Sequence, residues 1–400
     1  MKTETISYSG FTFQFLVCSK RTKLNSMPAG VYLHIPFCKS RCSYCDFATD
    51  VYRNSDAVER YVAALRAEVN SEVRSQKSEA VDTIYFGGGT PSLLSPQQVG
   101  HILDVVYIHF DVEHDAEITM EMNPATVSRE TLDGYRDLGV NRASFGVQTF
   151  DDTDLKLLAR GHDANDARET FRLLRQAGFD NISFDLIAGL PGQSLQQWER
   201  NLNEAITMNP EHISLYLLEI HEGTPLAEQV RSGRRPIPDE QLAAEMYELM
   251  LARLSAAAYE QYEISNFAKP GFESRHNSKY WRMEPVFGFG VSAHSFDGKA
   301  RYANERDTAK YVELMETSGS AENFRETVDL ISETAFLGLR MTGGIDVTDI
   351  EKRFGVDFNQ KYSAELNELI ENGLVETMNN HLKLTPKGML YSNEVFRVFV

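Results

Sequence analysis

Six short runs rich in β-branched and aromatic residues, at 31–35, 83–86, 117–122, 142–148, 182–187 and 213–218, are separated by stretches of helical periodicity. Over 57–73, Val58, Tyr61, Val62, Leu65 and Val69 fall on one helical face, and 164–176 and 195–207 repeat the pattern. A helix between consecutive strands is too long a link for a hairpin, so the strands run parallel and the crossovers are right-handed. The chain is therefore α/β, a partial (β/α)6 TIM-like barrel or, equally, a doubly wound sheet. In either, ligand sites gather at the C-terminal ends of the strands.

This core is expected to span 27–235. From 236 to 326 the pattern changes: a helix over 239–258 precedes an irregular stretch at 259–302, rich in aromatic, Asn and Gly residues, expected as a cap over the barrel. Residues 327–400 read as a small α+β module with a helix through 339, a break at Gly343-Gly344, a segment at 347–354, a helix over 359–371 and a hairpin at Asn379-Asn380. That order resembles a winged helix, yet 11 acidic against 7 basic side chains favour a structural or docking role over DNA binding. Residues 1–26 carry Lys2, Lys20, Arg21 and Lys23 against Glu4. They are expected to be an in-frame addition ahead of a working start at Met27; an organelle-targeting segment is the alternative.

The net charge of −18 withholds the general electrostatic support that nucleic-acid binding needs. No apolar run reaches the ~18 residues of a membrane span. Of the 4 cysteines, Cys38, Cys42 and Cys45 crowd into one loop and Cys18 stands alone. Clustered thiols without a disulfide framework point to a reducing compartment and to metal or redox chemistry. A cytoplasmic location follows, or an organellar one if the extension is a targeting segment.

Cys38, Cys42 and Cys45 form C-x3-C-x2-C just after the first strand, and thiolates so spaced can turn around one metal centre. Structural zinc normally takes four Cys or His ligands, whereas a cubane iron–sulfur cluster held by three cysteines leaves one iron open to a small molecule. His34 is the nearest imidazole, and its place within the strand pattern marks it as a packed residue rather than a ligand.

With Tyr44 before the last cysteine and Val31-Tyr32-Leu33-His34-Ile35-Pro36-Phe37 before the first, this loop resembles the radical S-adenosylmethionine (SAM) superfamily. The similarity runs from Met27 nearly to the C-terminus and is closest to the group containing oxygen-independent coproporphyrinogen III oxidases and the haem chaperones of the HemW family. The resemblance implies a 4Fe–4S cluster on Cys38, Cys42 and Cys45 whose open iron binds SAM. One electron from the cluster then cleaves SAM to a 5′-deoxyadenosyl radical. It also implies SAM contacts at Tyr32, Tyr44, Gly88, Gly89, Thr90, Glu121, Gln148, Arg160 and Asp185, while Glu219 matches only approximately. Glycines after the second strand would let the backbone approach SAM, and the Arg160 guanidinium suits a carboxylate. Ile187-Ala188-Gly189-Leu190-Pro191-Gly192 would shape the adenine pocket.

Two departures separate the chain from the oxidases. Phe47 stands where they carry a further cysteine, and only about thirty residues precede the cluster strand. His276-Asn277-Ser278-Lys279-Tyr280-Trp281 resembles the HNxxYW motif of the HemW family, which makes His276 the candidate haem ligand and His294 its reserve. The expected function is a haem chaperone delivering haem to recipient haem proteins, respiratory ones among them. Cluster assembly and haem transfer can both couple to dimerisation, so a homodimer is the assembly to test. The alternatives are a coproporphyrinogen III oxidase and a non-catalytic metal-binding docking module.

Overall fold

A strand turns successive side chains to opposite faces, so each β-rich run must satisfy two environments at once. The computed structural model describes residues 4–8, 11–15, 27–52, 54–72 and 79–399. It contains strands β1 (Ala29–Ile35), β2 (Ala80–Gly88), β3 (Asp111–Met122), β4 (Arg142–Gln148), β5 (Ile182–Ala188) and β6 (His212–Leu217). They are parallel neighbours in that order. The crossovers carry helices α1 (Ser55–Glu72), α2 (Pro96–His109), α3 (Arg129–Asp137), α4 (Ala164–Gln176) and α5 (Leu195–Met208). Ser95, Ser128, Asp163 and Ser194 begin the last four with reciprocal capping boxes, which satisfy amide groups left over at the first turn.

Against these helices pack Leu33, Phe86, Met120, Phe145, Phe184 and Ile213, part of one continuous apolar core. The alternate positions face the inside of the arc and are polar: Thr83 and Tyr85, Glu117, Thr119 and Glu121, Arg142 and Ser144, Ser183 and Asp185, His212 and Ser214. A closed TIM barrel fills this space with branched apolar layers; here it is lined by hydrogen-bonding groups.

Residues 259–302, expected as an irregular cap, instead extend the same sheet. After helix α6 (Glu240–Ala256), β7 (Glu260–Glu263) and β8 (Asn266–Ala268) form an antiparallel pair, and β8 adds to β6. Helix α7 (Arg275–Trp281) leads to β9 (Val286–Phe289), which pairs in parallel with β1. Antiparallel β10 (His294–Phe296), β11 (Ala300–Asn304) and β12 (Glu322–Thr327) follow. The order is β7-β8-β6-β5-β4-β3-β2-β1-β9-β10-β11-β12. The arc thus gains a seventh parallel strand, and β6 and β9 bond to outer strands rather than to each other, so the barrel is partial. The added strands inside 259–302 are only three to five residues long, too short to show a period of two.

Past Asp329, helices Leu330–Gly338, Val347–Phe354 and Ser363–Glu371 pack with a three-stranded sheet around Leu339, Ile350, Phe358, Leu366 and Leu382. Its hairpin turns at Asn379 and Asn380, both left-handed at φ +52° and +64°. Residues 4–8 and 11–15 pair as an antiparallel hairpin. Otherwise the extension, and with it the expectation about its origin, lies outside the described residues.

Helix α7 is fixed beneath the arc by buried charge. The Lys279 side chain is 3% exposed, and its ammonium lies 2.7 Å from Asp82 Oδ1 and 3.1 Å from Glu284 Oε2. It also donates to Pro28 O at 2.7 Å. Removing the ammonium leaves Glu284 without its ion pair and Asp82 with only the Arg275 guanidinium at 3.1 Å, at a cost of up to about 3–5 kcal/mol. Lys279→Met is therefore expected to lower the urea-unfolding free energy by that amount, whereas Arg129→Ala, which breaks an exposed pair on α3, changes it little. Equal effects of the two substitutions would refute this anchoring role.

Candidate functional site

Beyond β1 the chain leaves the sheet in the loop that carries the cysteines. A two-residue ladder between Phe37–Cys38 and Asp50–Val51 closes the loop at its base. Buried Ser43 ties its middle to the segment after β4, donating from Oγ to Leu157 O at 3.0 Å and from its amide to Leu158 O at 2.9 Å. Cys38, Cys42 and Cys45 are free thiols and partly exposed.

Hydrogen-bond donors from distant elements converge on this loop. The Thr90 hydroxyl donates to Cys38 Sγ at 3.5 Å and accepts from Asn123 Nδ2 at 2.7 Å. Arg160 Nη1 donates to Cys42 Sγ at 3.5 Å and to the Tyr44 hydroxyl at 3.4 Å. Its Nη2 donates to Asn123 Oδ1 and Gly146 O, both at 2.7 Å. The buried Arg160 Nε has no partner, which leaves one donor of a cationic fork for an anionic group. Among the described residues no three His, Cys, Asp or Glu side chains stand close enough together to hold a single metal ion as placed. The loop's fit for a cluster rests on the donors behind its sulfurs, which are what bound thiolates need. Burial pushes the Cys38 thiol up to about 11, against the opposing Thr90 hydrogen bond; a bound cation reverses this by favouring the thiolate.

The expected SAM residues at the strand ends form a second group. Glu121 accepts from the Tyr85 hydroxyl at 2.7 Å and from the Gly88 amide at 3.1 Å. Burial raises its carboxyl to about 7, and Asp185 adds to the rise. Burial raises Asp185 as well. Gln148 ends β4 at a bulge, with φ +66°. Tyr32 stacks at 6.1 Å on Tyr85 and shares a hydrogen bond of 3.1 Å with His34 Nδ1. Asn123 and Tyr85 are central here and were missed in the sequence, although Asn123 directly follows β3 and Tyr85 lies on its strand's polar side.

Gly88 and Gly89 are demanded by the protein's own packing: a Cβ at Gly88 would lie 2.7 Å from the His34 ring, and one at Gly89 2.6 Å from Pro36 O. Glu219 stays outside the site, its side chain 70% exposed. His34 is packed as expected, with Nε2 2.9 Å from Ala48 O, and burial lowers it to about 4. In the 187–192 turn, Ile187 and Leu190 pack with Leu157 and Leu226, against which Tyr44 rests. Gly189 and Gly192 line a cavity of about 360 Å³ with Gln193, Pro236 and Ile237.

His276, the candidate haem ligand, is enclosed and hydrogen-bonded on both ring nitrogens. It is 1% exposed, with Nδ1 2.9 Å from Thr83 Oγ1 and Nε2 3.2 Å from the Tyr280 hydroxyl. Burial lowers it to about 3. The neighbouring aromatic platform is occupied too, because the Arg340 guanidinium lies 4.3 Å over the Trp281 ring. His294 is exposed beside the Phe324 ring, at 5.9 Å.

Comparison with known proteins bears on this geometry. Residues 32–205 match the radical SAM superfamily and residues 328–391 the HemN C-terminal domain. The heme chaperone HemW of Bacillus subtilis is 37% identical over 375 residues, covering 92% of this chain and 98% of that protein. The chain belongs to the HemW family of radical SAM proteins. The HemW of Lactococcus lactis is 35% identical, covering 93% and 97% of the two chains. The bovine mitochondrial radical S-adenosyl methionine domain-containing protein 1 is also 35% identical, covering 91% and 85%. Among solved structures, coproporphyrinogen III oxidase (HemN) from Escherichia coli superposes with a TM-score of 0.83 at 25% identity, over 94% of this chain and 90% of that one. Membership in the radical SAM superfamily implies a 4Fe–4S cluster and SAM.

The glycine contacts make a direct test. A Cβ at Gly89 meets a backbone carbonyl that cannot swing aside, so Gly89→Ala is expected to destabilise by about 1–3 kcal/mol in urea unfolding. Gly343→Ala, where a Cβ meets nothing within 4 Å, is the control and should change stability far less. An unshifted midpoint for Gly89→Ala would show that strands β1 and β2 are not so tightly apposed.

Proposed function

We propose that this chain is a haem chaperone that carries a SAM-coordinating 4Fe–4S cluster, binds haem and passes it to recipient haem proteins, respiratory ones among them. The observation that carries the reading is the near end-to-end match with a heme chaperone, over 92% of this chain and 98% of the relative. Cys38, Cys42 and Cys45 are the proposed cluster ligands. Thr90 and Arg160 donate to the sulfurs of Cys38 and Cys42, and the unpartnered Arg160 Nε is the proposed donor to the SAM carboxylate. Tyr32, Tyr44, Gly88, Gly89, Glu121, Gln148 and Asp185 complete the proposed SAM contacts. When bound, the cluster supplies one electron to SAM and the protein supplies position and charge.

One observation favours a second reading, coproporphyrinogen III oxidation: the backbone follows the E. coli oxidase at a TM-score of 0.83. Against it, the position where the oxidases carry a further cysteine is Phe47, 68% exposed at the edge of the loop. Among the described residues no helix is long and apolar enough to cross a membrane. We place the chaperone in the cytoplasm, or in an organelle if the extension is a targeting segment.

Two measurements test the proposal. After anaerobic reconstitution, Cys38→Ser, Cys42→Ser and Cys45→Ser are each expected to lose cluster iron and sulfide; wild-type content in all three would overturn the ligand assignment. The loaded wild-type protein is expected to take up haem saturably at near one equivalent, followed by Soret absorbance. Unsaturable uptake would return product analysis of coproporphyrinogen III oxidation to the front. His276→Ala, measured alongside, is expected to weaken binding if helix α7 yields its two hydrogen bonds to haem. Undiminished binding in that variant moves the ligand to His294.

A further inference from the structure

Inside the arc, one charged side chain has two nitrogens without a hydrogen-bond partner among the described residues. Arg142 is 1% exposed, yet its Nε and Nη1 have no hydrogen-bond partner. Taking a guanidinium out of water without pairing it is costly, so it persists only where the surrounding charge compensates it. Register fixes its place. Arg142 lies opposite Thr119 on β3, Thr119 opposite Tyr85 on β2, and Tyr85 opposite Tyr32 on β1, which makes one layer across four strands.

The next layer toward the strand ends contains Glu121, opposite Ser144, and Asp185 follows opposite Gly146. Neither carboxylate has a salt-bridge partner among the described residues. The other guanidinium near them, Arg160, is committed at the mouth to Cys42, Tyr44, Asn123 and Gly146. Two half-buried carboxylates therefore share the inside of the arc with one buried cation that has no ion pair among the described residues.

We propose that Arg142 is a positioning residue: its unpaired guanidinium supplies the fixed positive charge that keeps Glu121 ionised and so holds the Gly87–Thr90 turn against β3. Both groups bonded to Glu121, the Tyr85 hydroxyl and the Gly88 amide, are donors. A carboxylate accepts from both; a neutral carboxyl brings a proton of its own and must give up part of one bond. The turn carries Thr90, which donates to Cys38, so the charge on Glu121 reaches the cysteine loop through two hydrogen bonds and the backbone between them. This rests on the proposed SAM site for its functional consequence but not for its electrostatics.

The groups acting on Glu121 are Tyr32 on β1, to which His34 is bonded, Tyr85 on β2, Asp185 on β5 and Tyr280 on α7, with Ser144 opposite it on β4 and Arg142 one layer below. The imidazole of His34 is held neutral by burial. Burial and Asp185 push the Glu121 carboxyl up; Tyr85, Gly88 and Arg142 oppose them, and the balance falls at about 7. Its ionised form thus predominates above that point and is lost as pH falls through it. Without Arg142 the balance moves upward, and the ionised form of Glu121 is lost at a higher pH.

The test follows the carboxyl itself. In cluster-loaded protein the protonated carbonyl stretch of Glu121, assigned by its disappearance in Glu121→Gln, is titrated by infrared difference spectroscopy. Arg142→Gln is expected to move the midpoint up by about one pH unit, a tenfold gain in proton affinity. Arg142→Lys, which keeps the charge but not the planar fork, should stay near wild type. An unmoved midpoint in Arg142→Gln, or a Lys variant that behaves like Gln, overturns the proposal. SAM isotherms across pH should weaken on the acid side in wild type, with the transition displaced upward in Arg142→Gln. Should wild type bind no SAM at any pH, the SAM site fails while the infrared titration still decides the role of Arg142. If Arg142→Gln does not fold, the double variant with Glu121→Gln removes the acid that needs the cation. Recovery of folding then supports the proposal, and continued failure overturns it.

Discussion

Everything in this molecule follows from asking one curved sheet to present an apolar face to its helices and a polar face to an enclosed space. A strand's period of two makes that possible without altering the backbone, and a register slip of one residue would exchange the faces. The outer face is the ordinary part, with Leu33, Phe86, Met120 and Phe184 buried against helices. The inner face is costly, because each polar group taken from water must find a partner inside. Most do. His212 bridges Ser183 Oγ at 2.7 Å and the Tyr262 hydroxyl at 2.8 Å. Glu117 takes the backbone amides of Arg275 and His276 at 3.2 and 3.1 Å, which uses a carboxylate to cap the helix beneath the arc.

At the open end the same logic produces the site. Arg160 touches the cysteine loop, the end of β3 through Asn123 and the end of β4 through Gly146. Three elements far apart in sequence are thereby set at one distance from each other by a rigid planar group, which a lysine's single ammonium could not do. Glycine at 146 is part of this arrangement, since a Cβ there would lie 2.5 Å from Gln148 Nε2 and 3.2 Å from Arg160 Nη2. The bulge between Gly146 and Gln148 and the guanidinium contact are therefore one feature.

What could be read from the chain follows from which signals are local. Strand β4 and helix α4 coincide with their expected limits, because alternation and a capping box are written in consecutive residues. The cysteine loop was legible from the spacing of its three thiols taken together with the residues that flank them. Strands β8 and β10, three residues each, were not, since so short a segment carries no periodicity and is a strand only because β6 or β9 lies beside it. The polar lining was present in plain alternation, as in Glu117-Ile118-Thr119-Met120-Glu121, but the same pattern describes a strand with one face in water. Only curvature of the whole sheet turns that face inward, and curvature is not a local property.

The motif around His276 shows how a correct resemblance can carry an incomplete physical picture. His276 and Tyr280 point into the arc, where the imidazole stacks at 5.0 Å on Tyr85 and bonds to Thr83. Lys279 anchors the helix by buried ion pairs, and Trp281 turns the other way to lie under Arg340. Arg340 in turn reaches the fully buried Glu263 on β7, with 3.4 Å between Nη2 and Oε2. The side chains of this motif thus link the lining of the arc to the C-terminal segment through seven residues of helix. Each has a structural reason to be what it is without haem, so the motif by itself is no measure of haem binding. An iron that took His276 would have to displace Thr83 or Tyr280 from a ring nitrogen, and that displacement would be felt at Tyr85 and hence at Glu121.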